Sequence, residues 1–153
     1  SVTEMLIVLA ILAILAGFSI ISYRAYHSRR LVPQAARLVQ GVLTTAREHA
    51  IANNEVHQAV ISIDDGTAWV DRGTSGSAAY APKIVTPVFL PQFVSIPRVS
   101  RDGIVYAAGR VELVFRSDGT AQTAAIDLVE DHDPTATATV RLYGSTGRVR
   151  LIE

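Results

Sequence analysis

The chain has 153 residues, 14 Lys and Arg against 14 Asp and Glu, no cysteine, and 49% hydrophobic residues. Zero net charge excludes a globally basic nucleic-acid binder and an acidic disordered protein. The lack of cysteine excludes a disulfide scaffold, thiolate zinc sites and cysteine nucleophiles. The length suits one domain with a hydrophobic core. The hydrophobic residues are unevenly spread, because residues 1–23 hold 17 of the 75.

The apolar N-terminal segment runs from Met5 to Tyr23 without a charge. As a helix it would be about 28 Å long, close to the thickness of a bilayer core. Its apolar residues lack helical periodicity, which indicates a helix buried all round, in lipid or inside an assembly. A secretory signal peptide fits poorly, since no basic region precedes the segment and no small-residue cleavage pattern follows it. A plain single-pass anchor remains an alternative.

Glu4 is the feature that a plain anchor does not explain. A carboxylate at the threshold of a membrane helix is unfavourable in lipid and usually has a partner. The dipole of the helix N-terminus lowers this cost without removing it. We therefore expect Glu4 to meet a positive group from another chain.

Residues 1–18, SVTEMLIVLAILAILAGF, resemble the mature N-terminus of type IV pilins and type II secretion pseudopilins. In that family a prepilin peptidase removes a leader, the new N-terminal residue is methylated, and a glutamate meets the N-terminal amine of a neighbouring subunit. The resemblance implies that Glu4 and Ser1 make the assembly contact. It also implies that the anchor and filament-core helix uses Met5, Leu6, Ile7, Leu9, Ile11, Leu12, Ile14, Leu15 and Phe18.

The position of the glutamate departs from the family pattern, which usually has phenylalanine first and glutamate fifth. Either a further residue, which modification would explain, precedes Ser1, or the register differs from that of the family; we favour the first. Arg24, Arg29 and Arg30 follow the apolar segment, so the positive-inside rule alone would place the remaining chain in the cytoplasm. The resemblance implies the opposite, namely insertion in the inner membrane and then a periplasmic or extracellular filament of this chain and other pilins.

Apolar residues recur at three- and four-residue intervals after Tyr26, which predicts an amphipathic helix. Pro33 either kinks one continuous helix from Val2 to Ala52 or starts a new one. We divide the chain into an anchor (1–23), an amphipathic helix (24–54) and a β-domain (55–153). The predicted core face of the second segment is Ala35, Leu38, Val39, Val42, Leu43, Ala46, Ala50 and Ile51.

Charge is also unevenly distributed along the chain. Residues 24–47 carry five arginines and no acid, whereas Asp127, Glu130, Asp131 and Asp133 form an acidic patch. Both regions are either solvated faces or parts of one contact, in which stacked subunits place the basic stalk against the acidic rim.

The β-domain is expected to contain three hairpins and two short edge strands. Pro82, Pro87, Pro91 and Pro97 surround strands 84–89 and 94–96, and proline favours sheet edges. Trp69 is expected to pack on the amphipathic helix, and residues 72–83 form a predicted loop. The predicted hairpins join 56–63 to 67–71, 111–116 to 121–128, and 137–143 to 148–152. A long helix before antiparallel strands indicates an α+β fold.

Three further stretches resemble the GspH/FimT group of minor pilins and pseudopilins: residues 35–62, LVFRSDGTAQ and ATVRLYGSTGRVRL. No catalytic constellation accompanies them, since Walker, GxGxxG, GxSxG and HExxH motifs are absent. We therefore predict no enzyme activity, no cofactor and no metal site. Asp131-His132-Asp133 lacks a metal-ligand spacing and is interpreted as a solvated loop.

Arg148 and Arg150 lie two positions apart in the last predicted strand, so they face the same side, with Arg141 on the preceding strand able to join them. Val149 and Leu151 then point towards the core. A row of guanidinium groups binds successive phosphates without reading bases. FimT-like minor pilins carry a similar Gly-Arg-x-Arg motif used in capturing DNA for uptake, which implies DNA as an alternative partner. A cross-strand ion pair or a plain exposed face are the other interpretations.

Overall fold

The computed structural model describes residues 1–73 and 83–152, and for residues 18–29 and Lys83 it describes the backbone alone. The side chain of Phe18 and most of the predicted loop therefore lie outside the described residues. In the part described, one helix precedes nine strands: α1 (Val2–Asn53), β1 (His57–Ser62), β2 (Thr67–Arg72), β3 (Lys83–Phe89), β4 (Val94–Arg101), β5 (Ile104–Tyr106), β6 (Arg110–Phe115), β7 (Ala124–Glu130), β8 (Thr137–Tyr143) and β9 (Arg148–Ile152).

Helix α1 is continuous over 52 residues, with Pro33 inside it. At 1.5 Å per residue its length is about 78 Å. The helix ends at Asn54, which takes a left-handed conformation with φ 52° and donates its N–H to the Ile51 carbonyl at 3.3 Å. Among the residues with described side chains, no helical stretch combines the length and the hydropathy needed to cross a membrane.

The second half of α1 packs on two antiparallel sheets. Sheet A has the strand order β3-β2-β1-β6 and sheet B the order β5-β4-β7-β8-β9. Side chains from one face of the helix and from one face of each sheet form a single core. The predicted α+β fold, a long helix packed on a C-terminal antiparallel β-domain, is confirmed. The helix contributes Val32, Ala35, Ala36, Val39, Val42, Leu43, Ala46 and Ala50 to this core.

Two of the three predicted hairpins form. Ser62 pairs with Thr67 across the first turn, and Tyr143 pairs with Arg148 across the last. The predicted hairpin 111–128 is wrong, because β6 pairs with β1 in sheet A and β7 pairs with β4 and β8 in sheet B. The only β-bridge described between the two segments is an isolated one, between Phe115 and Ala121.

Strand β4 also differs from the prediction. It was expected to be a short edge strand but spans Val94–Arg101 and lies between β5 and β7. Pro97 is tolerated there because the register with β7 is irregular between Ser95 and Arg98, where no regular ladder hydrogen bond is needed. The prediction also omitted β5, which follows a turn with positive φ at Asp102 and Gly103.

Trp69 does not pack on the helix, as the sequence had suggested. Side chains alternate along a strand, and its neighbours Ala68 and Val70 are the ones that join the helix-facing core. Trp69 is 4% exposed on the opposite face of sheet A, where its Nε1 donates to Asp71 Oδ2 at 2.9 Å. The guanidinium of Arg110 lies 5.6 Å from the centre of its ring. The expectation that Trp69 is buried was therefore not enough to predict which face of the sheet it occupies.

The free edge of sheet A, strand β6, is closed by side chains. Arg101 Nη1 donates to the Glu112 carbonyl at 2.9 Å, and the Val114 N–H donates to Gln122 Oε1 at 3.1 Å. Arg101 is itself held by Tyr106, whose hydroxyl lies 2.7 Å from Nη2. Two backbone groups of this edge that an added strand would use are therefore already bonded.

Candidate functional site

The first turns of α1 expose large apolar side chains all round the helix. Met5, at 70% exposure, and Leu15, at 60%, mark the ends of this stretch. No described residue covers them, and they contribute nothing to the core of the β-domain. A contiguous apolar surface of this kind marks an interaction site. We call it the apolar segment; its predicted members with described side chains are Met5, Leu6, Ile7, Leu9, Ile11, Leu12, Ile14 and Leu15.

Glu4 and Ser1 form an ion pair at the start of the apolar segment. The Ser1 amino group lies 2.6 Å from Glu4 Oε2, and the Glu4 N–H also donates to the Ser1 carbonyl at 3.1 Å. Both side chains are exposed. The structure therefore brings together the two residues that the resemblance had named, here within one chain.

Arg141, Arg148 and Arg150 lie on the outer face of sheet B, with all three side chains exposed. Arg150 is directly opposite Arg141 in the β8–β9 register, while Arg148 is opposite Tyr143. Val149 and Leu151 point the other way and pack against the core. The strand thus presents its cations to solvent because its alternate residues are held by the core. We call these three residues the arginine face.

No ion pair among the described residues compensates the charge of the arginine face. Within the described part of the chain, none of its three guanidinium groups forms an ion pair. Like charges directly opposite each other in a sheet are destabilising. The arrangement of Arg141 and Arg150 therefore disfavours the interpretation as a cross-strand ion pair.

A shallow groove of about 250 Å³ runs along the same face beside Arg141, with Ser100 and Ala125 in the lining. At its far side Arg98 pairs with Asp127, which also accepts a hydrogen bond from the Thr139 hydroxyl at 2.7 Å. The hydrogen bond from Arg98 to Asp127, reinforced by their opposite charges, raises the pKa of Arg98. The groove is consequently neutral at one end and positive at the other.

The predicted acidic patch is smaller than the sequence suggested. Asp127 is neutralised by Arg98, and Glu130 is only 3% exposed. Asp131 is exposed and Asp133 is half-buried, so these two carboxylates form what remains of the acidic rim. The patch divides because Asp127 and Glu130 lie on opposite faces of β7.

His132 does not complete a metal site with its acidic neighbours. Its ring meets Phe93 edge to face, with ring centres 4.7 Å apart, and its Nδ1 lies 3.6 Å from Glu130 Oε1. Within the described residues, no group of three or more candidate ligands is placed to hold a metal ion.

Solved structures with a similar fold include minor pseudopilins and a minor pilin. EpsH, a minor pseudopilin of the Vibrio cholerae type 2 secretion system, gives a TM-score of 0.64 at 14% identity over 81% of this chain and 97% of that chain. A second EpsH structure gives 0.60 at 15% identity over 80% and 96%. The type IV minor pilin FimU of Pseudomonas aeruginosa gives 0.60 at 14% identity over 84% and 92%.

The chain has the pilin fold. The resemblance predicted from the sequence is thereby confirmed at the level of the fold. No family model and no curated protein matches the sequence.

Within this pilin fold the two candidate surfaces have different origins. The apolar segment lies outside the core, to which the helix contributes from Val32 onward among its described side chains. The arginine face depends on the register of β8 and β9. The surfaces are therefore separate in the sequence and use different elements of the fold.

Sequence reasoning missed one exposed residue with an unusual backbone. Phe93 has φ 71°, a left-handed conformation that is rare for a bulky residue, and is 46% exposed. No pattern in the sequence identifies it, because its position depends on the neighbouring turn at Asp131, whose N–H donates to the Phe93 carbonyl at 2.8 Å.

Proposed function

We propose that the chain is a structural subunit, a pilin or pseudopilin, of a type IV pilus-like or type II secretion filament. The observation that carries the proposal is the apolar segment, whose side chains are exposed all round α1, whereas one face of the helix from Val32 to Ala50 packs in the core. The pilin fold supports it. Polymerisation through the helix would bury this surface against copies of the chain or other pilins.

The hydrophobic effect keeps the apolar segment out of water before and after assembly. A large aliphatic side chain contributes about 1.5–3 kcal/mol when it is removed from water. Before assembly the same segment is held in the inner membrane, and in the filament the lipid contacts are replaced by helix contacts. The finished filament lies in the periplasm or at the cell surface.

Glu4 sets the register of the filament in this proposal. The Glu4 carboxylate is exposed at the start of the apolar segment in the single chain. In the filament it pairs with the amino group of a neighbouring subunit, and burial among helices strengthens this ion pair. N-methylation of that amino group would retain its positive charge.

The test replaces Glu4 by glutamine, which keeps the shape and removes the charge. We expect about a tenfold or greater loss of filament, because a lost charge-assisted hydrogen bond costs about 1.5–3 kcal/mol. Filaments are counted by electron microscopy and total protein by immunoblot. Glu48→Gln is the matched control, since Glu48 is exposed on the same helix far from the apolar segment. Normal filament yield from Glu4→Gln would contradict the proposed role of this residue.

The proposal includes no catalytic activity and no cofactor. It rests on surfaces that bind other chains, and the described residues need no bound group to explain their arrangement.

A second candidate function is that of a minor pilin that binds DNA through the arginine face. The observation that favours it is the direct opposition of Arg141 and Arg150, neither of which forms an ion pair with a described residue. Such a pair is stabilised when a phosphate binds between the guanidinium groups, and phosphate contacts carry no sequence preference.

The DNA hypothesis predicts a specific salt dependence. Three phosphate contacts would give a slope of about −2.7 in a plot of log binding constant against log salt concentration. Binding of the full chain in detergent to duplex DNA is measured by fluorescence anisotropy. Arg148→Ala with Arg150→Ala should reduce the slope to about −0.9, whereas Arg116→Ala, an exposed arginine on the β6–β7 connection, should not change it. An absence of binding at low salt would exclude this function.

A further inference from the structure

The outward side of α1 carries a groove of about 530 Å³ at Pro33. Arg30 and Arg37, both exposed, lie at its two ends, and Pro33 and Leu38 are half-buried between them. All the lining residues belong to α1, and the fifth is Gln34. The groove therefore has an apolar floor and two cationic ends.

This Pro33 groove faces away from the β-domain of its own chain. The neighbouring residues Val32, Ala35 and Ala36 are the ones that enter the core. Positions three and four apart share one side of a helix, so residues 30, 33, 34 and 37 lie together on the other side. The occupant of the groove must therefore come from outside the chain's own core.

A complementary projection lies at one end of the β-domain. The Phe93 ring is 46% exposed, and its backbone is fixed by the hydrogen bond from the Asp131 N–H to the Phe93 carbonyl. His132 supports the ring edge-on. Asp131 is exposed beside it. We call Phe93, Asp131 and His132 the aromatic tip.

We propose that the aromatic tip of one copy of the chain binds in the Pro33 groove of a second copy. The Phe93 ring would cover Pro33 and Leu38, and the Asp131 carboxylate would pair with Arg37. A guanidinium beside an aromatic ring adds a cation–π attraction. Apolar surface meets apolar surface and opposite charges meet, which is the complementarity that specifies interfaces.

The inference rests on the proposed function, which places a second copy of the chain alongside α1. The apolar segment and the Pro33 groove belong to the same helix, and copies that bury the first must pack alongside α1. The aromatic tip then orients the β-domain of one subunit against the helix of the next. The contact involves charged residues at a rim, so it supplies register more than affinity.

The first test uses the absence of cysteine from the chain. Gln34→Cys and His132→Cys are placed in one chain, filaments are purified and treated with a short bifunctional maleimide, and the products are separated on a denaturing gel. We expect a ladder of covalent multimers. The control pair is Gln34→Cys with Ser145→Cys, because Ser145 lies exposed at the other end of β8, about 20 Å from the aromatic tip.

The result separates this inference from the proposed function. Filaments with no ladder above the control would overturn the tip-to-groove contact and leave the filament proposal standing. If the unmodified chain makes no filaments, the filament proposal fails. The same cross-linking reaction is then carried out on the chain concentrated in detergent. More product cross-linked between positions 34 and 132 than in the control pair would support the inference, and an equal amount would overturn it.

A charge reversal provides an independent test. Arg37→Glu should lower filament yield about fivefold, the loss expected for one exposed ion pair. Adding Asp131→Arg to the same chain should restore the yield, because the pair is re-formed with exchanged charges. The proposed pairing would be overturned if Arg37→Glu and Asp131→Arg, each alone, gave the wild-type filament yield. It would also be overturned if the double variant gave no more filament than the single variant with the lower yield.

Discussion

Gly147 allows its own turn between β8 and β9, the turn at Gly119 and the C-terminal part of α1 to approach one another closely. Its φ is 62°, and a Cβ at this position would lie 2.0 Å from the Gly119 carbonyl oxygen. Arg47 donates to the same oxygen at 3.3 Å, so the contact joins the helix to both turns. The start of β9, and with it Arg148, is positioned by this approach.

Gly147→Ala should therefore destabilise the β-domain strongly. Left-handed backbone strain and the steric clash together cost about 3 kcal/mol or more, which corresponds to a loss of about 6–12 °C in Tm. Gly103→Ala is the control, because Gly103 has φ 86° but a Cβ added there would meet no atom within 4 Å. Thermal unfolding followed by circular dichroism should show a smaller loss for Gly103→Ala, and equal losses would contradict the steric argument.

Asp118 gives a prediction on pH. The Thr120 hydroxyl donates to its carboxylate at 2.6 Å, and this bond, with a weaker contribution from the Thr120 N–H, lowers the pKa of Asp118 below 3.8. A carboxyl group whose pKa is lower in the folded state than in the unfolded state stabilises the fold when the pH is above its ordinary pKa. This contribution is lost as the pH falls through the lowered pKa of the folded state.

Thr120→Val should raise the pKa of Asp118 towards its ordinary value, since the hydroxyl donor is lost and the N–H remains. Thr120→Ser retains the hydroxyl and should leave the pKa low. The measurement is an NMR titration of the Asp118 carboxyl carbon in the full chain. An unchanged titration in Thr120→Val would show that the hydroxyl is not the main cause.

At the scale of elements, the end of α1 fixes where the chain enters the first sheet. Asn54 adopts φ 52° after the last helical turn, and Glu55 donates its N–H to the Ala50 carbonyl at 3.2 Å. Strand β1 begins at His57, immediately after this reversal. The left-handed residue therefore determines the register in which β1 meets the helix.

The end of the helix is tested by two substitutions at Asn54. Asn54→Ala should destabilise the fold by about 1 kcal/mol, because a left-handed backbone is unfavourable for a residue with a plain Cβ. Asn54→Gly should stay within a few tenths of a kcal/mol of the parent chain. Urea unfolding measures both, and an equal loss in the two variants would show that the asparagine side chain, rather than the backbone conformation, is required.

The sequence predicted those elements whose signals are local. The first part of the helix follows from its unbroken apolar run and the second part from its periodicity, and the hairpins β1–β2 and β8–β9 follow from glycine-containing turns between apolar runs. The partners of β4, β6 and β7 depend on pairing between distant segments, which no local pattern contains. The side of β9 occupied by Arg148 and Arg150 follows from strand alternation, whereas the opposition of Arg141 to Arg150 required the register.

At the scale of the whole molecule, the folded core and the surface proposed for assembly use different parts of α1. Among the described side chains, the helix joins the core from Val32 onward, and the apolar segment makes no described contact with the β-domain. Under the proposed function, a change in that segment should alter assembly without altering the fold. The length of the continuous helix keeps these two parts apart.

Leu9→Asp tests this separation. It should abolish filaments, because a charge would be buried among helices, and change the unfolding free energy of the β-domain by less than about 0.5 kcal/mol. Leu43→Ala should do the reverse, lowering stability by about 2–5 kcal/mol, because Leu43 is fully buried in the core. Thermal unfolding and electron microscopy measure the two effects, and a destabilised Leu9→Asp β-domain would contradict the separation.

The partly closed edge of sheet A also bears on how copies of the chain behave at high concentration. With the Glu112 carbonyl and the Val114 N–H already bonded to Arg101 and Gln122, strand β6 has fewer free groups to pair with a strand of another molecule. Crowded copies are therefore less prone to nucleate cross-strand aggregates at this edge.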